Sequence, residues 1–262
     1  MQKSLKSSQT KPFLSVVIPA YNEVENFKRG VLDEIFKYLK SCTFSWEVIL
    51  VNDGSTDETP TLLENFAKKF SGFRLVNIPH GGKLKAIEAG LDNAQGEVIL
   101  ISDFDQSTPA AEFNKFLPDF EKGADIVIGD RVARGAKRIN DPFFRYFRSR
   151  VLNFFIKIFL FSGISDTQCG FKALKATVAK KLLPNLKVTH LAKPVGGFMG
   201  PWDIELLFLA KKGKLKIAQV PVIWQYFPSR RLSVISEPAR FIFDILRIRQ
   251  FYLLGKYGDV FK

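Results

Sequence analysis

Apolar and polar positions alternate along the first half of the chain in the rhythm of an α/β protein. Five short aliphatic runs, Leu14–Ile18, Glu47–Val51, Arg74–Ile78, Glu97–Ile101 and Asp125–Ile128, read as strands buried on both faces. Between them, apolar residues recur at helical spacing over Val24–Lys40, Glu58–Phe70, Leu84–Ala94 and Ala110–Glu121. Strands separated by helices at this interval predict a doubly wound, Rossmann-like α/β sheet of mostly parallel strands flanked by helices. Asp53-Gly54-Ser55 after the second strand and Gly96 before the fourth supply turn chemistry at the expected places.

The texture changes after Arg131. Arg131 to Arg150 mixes basic and aromatic residues, and Val151 to Phe161 is nearly all apolar, interrupted by Asn153 and Lys157. Pro201–Lys212 predicts a helix, Leu215–Val222 a strand, and Pro238–Leu254 a closing amphipathic helix with Arg240, Asp244 and Arg247 on one stripe. No linker separates these segments. The predicted organisation is a basic tail over residues 1–12, one catalytic domain over 13–235 and a C-terminal amphipathic extension over 236–262.

Composition narrows the partners. With 46% hydrophobic and 13% aromatic residues, 26 of them Phe, a packed core is expected and disorder is excluded. The net charge of +13 favours anionic partners: nucleic acid, an anionic membrane surface or phosphate-bearing substrates. Cys42 and Cys169 are too far apart in sequence for a CxxC pair, which argues against a disulfide scaffold or structural zinc. Cys169 is expected as a small buried residue. His80 and His190 lack ligand spacing, so no histidine metal site is expected. The first twelve residues have no apolar core and no apolar run approaches about 20 residues, so neither a signal peptide nor a spanning helix is expected.

Candidate chemistry lies just after the strands, where open α/β sheets bind ligands. These positions read Pro19-Ala20-Tyr21-Asn22-Glu23, Asn52-Asp53-Gly54-Ser55-Thr56-Asp57 and Ser102-Asp103-Phe104-Asp105-Gln106. Neither GxGxxG nor GxxxxGK[ST] occurs at these strand ends, so dinucleotide and P-loop chemistry are set aside. The acids suit hydrogen bonds to a base and ribose. Asp103 and Asp105, one residue apart at a strand end, can place two carboxylates near one Mg²⁺ or Mn²⁺ ion. A turn or helix cap before Pro109 is the plainer explanation of that pair, but two other acidic strand ends in register favour function.

The segments Val17–Glu23, Val51–Asp57 and Asp103-x-Asp105 resemble family-2 glycosyltransferases of GT-A fold. Asp166-Thr167-Gln168-Cys169-Gly170-Phe171-Lys172, Val220-Pro221-Val222-x-Trp224 and Ser229-Arg230-Arg231-Leu232-Ser233 are similar to dolichyl-phosphate β-glucosyltransferases, and more loosely to polyprenyl-phosphate mannosyltransferases. The resemblance spans about Leu14 to Leu254. It implies an inverting, metal-dependent transfer of a hexose from a nucleotide sugar to a polyprenyl or dolichyl phosphate, with UDP-glucose favoured over GDP-mannose. A saccharide hydroxyl acceptor is the alternative.

The same resemblance implies residue roles. Pro19, Tyr21 and Glu23 would line the base pocket, and Asp53 would hold the base or ribose. Lys83 and Gln168 would lie on the donor side. Asp103 would contact ribose or metal, and Asp105 would ligate the metal. The stretch Trp202-Asp203-x-Glu205 would lie near the acceptor, with Asp203 orienting it or serving as the base if the acceptor is a hydroxyl, while Arg230 and Arg231 are candidates to grip the diphosphate. Arg131, Arg145 and Arg148 are expected near lipid phosphates, with Phe154, Phe155 and Phe159 in acyl chains. A core helix under the closing helix is the competing reading of that segment. The expected setting is the cytoplasmic face of a membrane, held peripherally. A nucleic-acid partner is not expected, because it leaves the acidic strand ends without a use.

Overall fold

A computed structural model describes residues 11–191, 200–227 and 237–260, apart from a few side chains on the surface helices. Its centre is a seven-stranded sheet in the order β3-β2-β1-β4-β7-β5-β8. The strands are β1 (Leu14–Ala20), β2 (Trp46–Asp53), β3 (Phe73–Ile78), β4 (Val98–Ile101), β5 (Ile126–Asp130), β7 (Lys172–Lys175) and β8 (Ile217–Pro221). All neighbouring pairs are parallel except those of β7, which runs antiparallel between β4 and β5. A small parallel pair, β6 (Lys137–Ile139) with β9 (Ile223–Gln225), stands beside it. The alternating side chains of the strands feed two cores. Val17, Ile49, Val51, Ile99, Ile101 and Ile128 face one, while Val16, Ile18, Val48, Leu50, Leu100 and Val127 face the other.

The expected helices appear with two changes of detail. The segment 24–40 divides into α1 (Val24–Lys28) and α2 (Val31–Lys40). Gly30, at φ +77°, takes the left-handed conformation between them, which a residue with a Cβ adopts at a cost. The segment 110–121 forms a 3₁₀ turn over Ala110–Lys115 and then α5 (Leu117–Glu121), with Pro118 in its first turn, where a missing N–H costs nothing. Helices α3 (Thr59–Lys69) and α4 (Lys83–Asn93) lie where expected. Strand β7 went unpredicted: its four residues, Lys-Ala-Leu-Lys, carry too little periodicity to read.

The second half adds α6 (Phe143–Phe159), α7 (Ala176–Leu182), α8 (Lys187–Leu191), α9 (Trp202–Lys212) and α10 (Glu237–Leu253). Every residue of α9 from Trp202 to Ala210 is buried, as its lack of a polar face requires. Helix α10 packs on α6 and α8, and Ile245, Ile248, Tyr257 and Val260 join the same core as the sheet. The C-terminal segment therefore builds the body of the domain. No helix among the described residues is long and apolar enough to cross a membrane.

Candidate active site at the strand ends

The loops after β1 and β2 are tied together before any ligand is considered. Asn22, with φ at +51°, donates its backbone N–H to Ser55 Oγ at 3.0 Å and accepts from Thr56 N at 2.9 Å. Glu23 N–H donates to Thr59 Oγ1 at 2.7 Å, and Glu23 Oε2 accepts from Asn26 Nδ2 at 2.6 Å. Pro19 closes β1, and the Tyr21 ring stacks on the His80 imidazole at 4.3 Å between centroids and 24° between planes. His80, set aside in sequence as a metal ligand, thus becomes a wall of the cleft.

Asp53 is nearly fully buried and its two oxygens are both engaged: Gly81 N–H donates at 2.7 Å and Gly82 N–H at 3.0 Å. The carboxylate shapes the loop that launches α4 from Lys83. From there the Lys83 ammonium reaches Asp103 at the end of β4. Burial alone would push Lys83 down, but Asp103 holds it above its ordinary value, with Asp203 and Asp105 adding to the effect. Asp103 responds in kind: burial would raise it, and the Lys83 charge, helped by Lys172 and Arg131, lowers it. Its side chain keeps 38% exposure, so it opens to the cleft. Gly170 explains the close approach on the other side. A Cβ there would collide with the Asp103 carboxylate, so only glycine admits the loop.

Asp105 sits beside this pair with one oxygen accepting from Ser107 N–H at 2.9 Å. Burial, and then repulsion from Asp103, push its carboxyl upward. Asp203, in the first turn of α9, is pushed up by burial, with Lys172 pulling the other way. Lys172 is fully buried, donates to the carbonyls of Thr167 and Cys169, and stands 5.5 Å from the Trp202 ring centroid. Burial lowers its pKa. Cys169 is itself fully buried and its thiol is pushed up by burial, which fits a packing role.

Arg131, expected at lipid phosphates, lies instead inside the cluster. Its Nε and Nη2 donate to Asp166 Oδ2 and Oδ1 at 2.7 and 2.8 Å, and its backbone N–H adds a third bond at 3.0 Å. The carboxylate is 1% exposed and the guanidinium 10%. Burial opposes ionisation, but the Arg131 charge wins and draws Asp166 down to about 2. Gln168 follows, its backbone N–H donating to Asp166 Oδ1 at 3.2 Å. The bidentate ion pair was hidden in sequence because its partners are 35 residues apart.

Other expected residues fall elsewhere. Glu205 points away from the cleft and accepts from the Val188 and Thr189 amides, both at 2.8 Å, and from Tyr257 Oη at 2.5 Å. It ties α9 to α8 and the C-terminal turn. Arg145 and Arg148 belong to α6, but their side chains lie outside the described residues, as do Arg230 and Arg231 entirely.

Among the described residues, no three His, Cys, Asp or Glu side chains converge into a preformed metal cage. A hard divalent cation nevertheless suits Asp103 and Asp105, because Mg²⁺ and Mn²⁺ accept one or two carboxylates and complete their shell with water and phosphate oxygens. Burial and then the Asp103 charge push the Asp105 carboxyl upward, and a cation bound there would supply the missing counter-charge.

Comparison with known proteins fits this geometry. A glycosyl transferase family 2 model matches residues 15–183. A dolichyl-phosphate β-glucosyltransferase of Trichomonas vaginalis is 32% identical over 93% of this chain and 75% of its own length. Among solved structures, glucosyl-3-phosphoglycerate synthase from Mycobacterium tuberculosis with UDP superposes with a TM-score of 0.61 at 20% identity, covering 91% of this chain and 80% of that one. A Pyrobaculum calidifontis mannosyltransferase with GDP-mannose and Mn²⁺ gives 0.54 at 21% identity, covering 95% and 64%. With the family model matching more than half of its length and the Trichomonas vaginalis relative matching nearly all of it, the chain belongs to glycosyl transferase family 2, and its α/β architecture is a GT-A fold.

Proposed function

We propose that this glycosyltransferase moves a hexose, glucose from UDP-glucose in the first instance, onto the phosphate of dolichol or a related polyprenol, with inversion and at the cytoplasmic face of a membrane. The observation that carries the donor half is the Lys83–Asp103–Asp105–Asp203 cluster at the carboxyl ends of the strands. The acceptor half draws on the activity in the relative's name. It is also supported by an apolar outer surface on α6 and α10. Phe143 is 80% exposed, Phe154 60%, Phe243 63% and Leu253 69%. Large apolar side chains exposed in one neighbourhood of a strongly basic chain suit an anionic bilayer.

Asp105, with Asp103, would hold Mg²⁺ or Mn²⁺, whose contribution when bound is to neutralise the departing diphosphate. The protein's own residues do the remaining work. Asp53 and Gly82 hold Lys83 at the start of α4, where its ammonium offers charge to the donor phosphates. Pro19, Tyr21 and Glu23 bound the base pocket, and the Arg131–Asp166 pair fixes the backbone that carries Gln168 toward the sugar. The acceptor phosphate is already anionic at neutral pH and needs no strong base. One of its oxygens forms a bond to the anomeric carbon from the face opposite the diphosphate, and the carbon–oxygen electron pair leaves with the nucleotide. Asp203 orients the acceptor, and alignment supplies most of the acceleration.

The test is transfer by the purified chain to dolichyl phosphate in detergent with Mg²⁺ or Mn²⁺ and UDP- or GDP-sugars, read as a sugar-bearing lipid by mass spectrometry. Asp105→Asn is expected to lower kcat/KM at least about a hundredfold without lowering the melt, since it removes a charge that burial and Asp103 already disfavour and keeps an oxygen to accept from Ser107 N–H. Donor binding without any lipid product would shift the acceptor to a saccharide hydroxyl.

A further inference from the structure

Asn153 interrupts the apolar stretch of α6, and the structure gives that interruption a use. The side chain is 5% exposed, at the edge of the face where Leu152, Ile156 and Leu160 enter the core. Those neighbours already provide the packing. A polar amide at such a place is unfavourable unless both of its ends are bonded. Both are: Asn153 Nδ2 donates to the Ser165 carbonyl, and Asn153 Oδ1 accepts from Thr167 Oγ1 at 3.0 Å. The two contacts fall immediately before and after Asp166, the counter-charge of Arg131, and one residue short of Gln168.

The loop is held from its other side as well. Ser165 Oγ donates to Asp130 Oδ2, Gln219 Oε1 accepts from Ser165 N–H at 2.8 Å, and Gln219 Nε2 donates to the Gly163 carbonyl at 2.8 Å. Sheet strands thus fix one side of the loop and a surface helix fixes the other. That helix presents Phe143, Phe147, Phe154 and Ile158 outward, each more than half exposed.

We propose that Asn153 is a positioning residue that transmits the placement of α6 on a lipid surface to the Ser165–Gln168 loop, and through it to Arg131 and the donor side of the cleft. The inference rests on the membrane reading above. It adds that lipid contact tunes the site and does more than concentrate the enzyme near its acceptor. The two directional amide contacts tie the loop to one point on the helix, so a small displacement of the helix is passed to the residues flanking Asp166.

Hydrogen–deuterium exchange on the full chain, with and without phosphatidylcholine–phosphatidylserine vesicles, tests it directly. In the wild type, vesicles are expected to slow exchange about fivefold or more both in α6 and in residues 163–168. In Asn153→Ala the slowing in α6 should persist and that in 163–168 should vanish. Thr167→Val, a milder change that removes the loop's hydroxyl alone, should reproduce the loss. In the transfer assay, the ratio of kcat in vesicles to kcat in detergent should fall toward one for both variants, with KM for the nucleotide sugar little changed. A purely structural role would lower both rates alike. Equal slowing of 163–168 in wild type and Asn153→Ala, or none in a wild type whose α6 is protected, overturns the coupling. Absence of any α6 protection in the wild type instead removes the membrane reading, and the coupling with it.

Discussion

Replacing Asp166 with Asn leaves the Arg131 guanidinium 10% exposed and facing a neutral amide. The consequence can be sized in two independent ways. The folded protein holds Asp166 at about 2 against an ordinary 3.8, and each unit is worth about 1.4 kcal/mol, so ionisation of this group favours the folded state by roughly 2–3 kcal/mol. Breaking one half of a buried ion pair costs about 3–5 kcal/mol in general, because the survivor keeps its desolvation penalty. The two agree to within the spread of such values. For a chain of this size, Tm should fall by roughly 10 °C at neutral pH.

The pH dependence has a fixed sign. A carboxyl lowered in the folded state contributes fully above its unfolded value and loses that contribution as pH falls through the folded one. The gap between wild type and Asp166→Asn should be widest above about pH 4 and close toward about pH 2. Removing both charges, with Arg131→Met and Asp166→Leu together, should recover much of the loss, since neither desolvated charge remains. Thermal melts and urea titrations at several pH values measure all three. An Asp166→Asn protein melting within about 2 °C of the wild type at neutral pH would refute the reasoning, as would a double variant worse than the sum of the singles.

Gly170→Ala places a methyl group against the Asp103 carboxylate and should lower kcat/KM about a hundredfold or more, because a misplacement of about 1 Å at reacting groups has that effect; steady-state kinetics beside a melt separate this from unfolding. Asp244 is raised to about 6, chiefly by burial, and its Oδ2 has no hydrogen-bond partner. Its contribution to stability is therefore full below about pH 4 and lost as pH rises through about 6. Asp244→Asn should match the wild type at the acid end and exceed it above about pH 6 in urea midpoints; parallel curves across that range would count against the assignment.

What sequence reveals and what it hides follow from the distance over which each feature is encoded. Strands β1 to β5 were legible because a buried strand writes itself in consecutive residues, and the acids after them are located once the strand ends are. Strand β7 was not legible: its four residues pair on both sides with strands far away in sequence. Arg131 was misplaced for a related reason. A basic residue beside an aromatic, basic segment reads as surface, and only the 35-residue return of the chain to Asp166 buries it. Glu205 sits two residues from Asp203 on one helix, yet the two turn to different surroundings, one to the cleft and one to α8 and Tyr257. Spacing places residues on a helix; what packs around it decides their chemistry.

The charges in the cleft bear on why donor and cation would arrive together. Lys83, Arg131 and Lys172 face Asp103, Asp105, Asp166 and Asp203, so three cations meet four carboxylates. Two of the acids are settled by strong partners: Asp166 by Arg131 and Asp103 by Lys83, and both are lowered. Asp105 and Asp203 are left raised, and Asp105 is raised partly by Asp103 itself. A diphosphate entering alone would add negative charge to that excess. A divalent cation entering alone would meet Lys83 across Asp103. The pair together carries little net charge; it would give Asp105 a counter-charge and leave Lys83 to the phosphates. Cation and nucleotide should therefore bind cooperatively, each tightening the other by the same factor. Calorimetric titration of UDP with and without Mn²⁺ reads that factor. It should collapse toward one in Asp105→Asn, and a factor that survives the substitution would place the cation elsewhere.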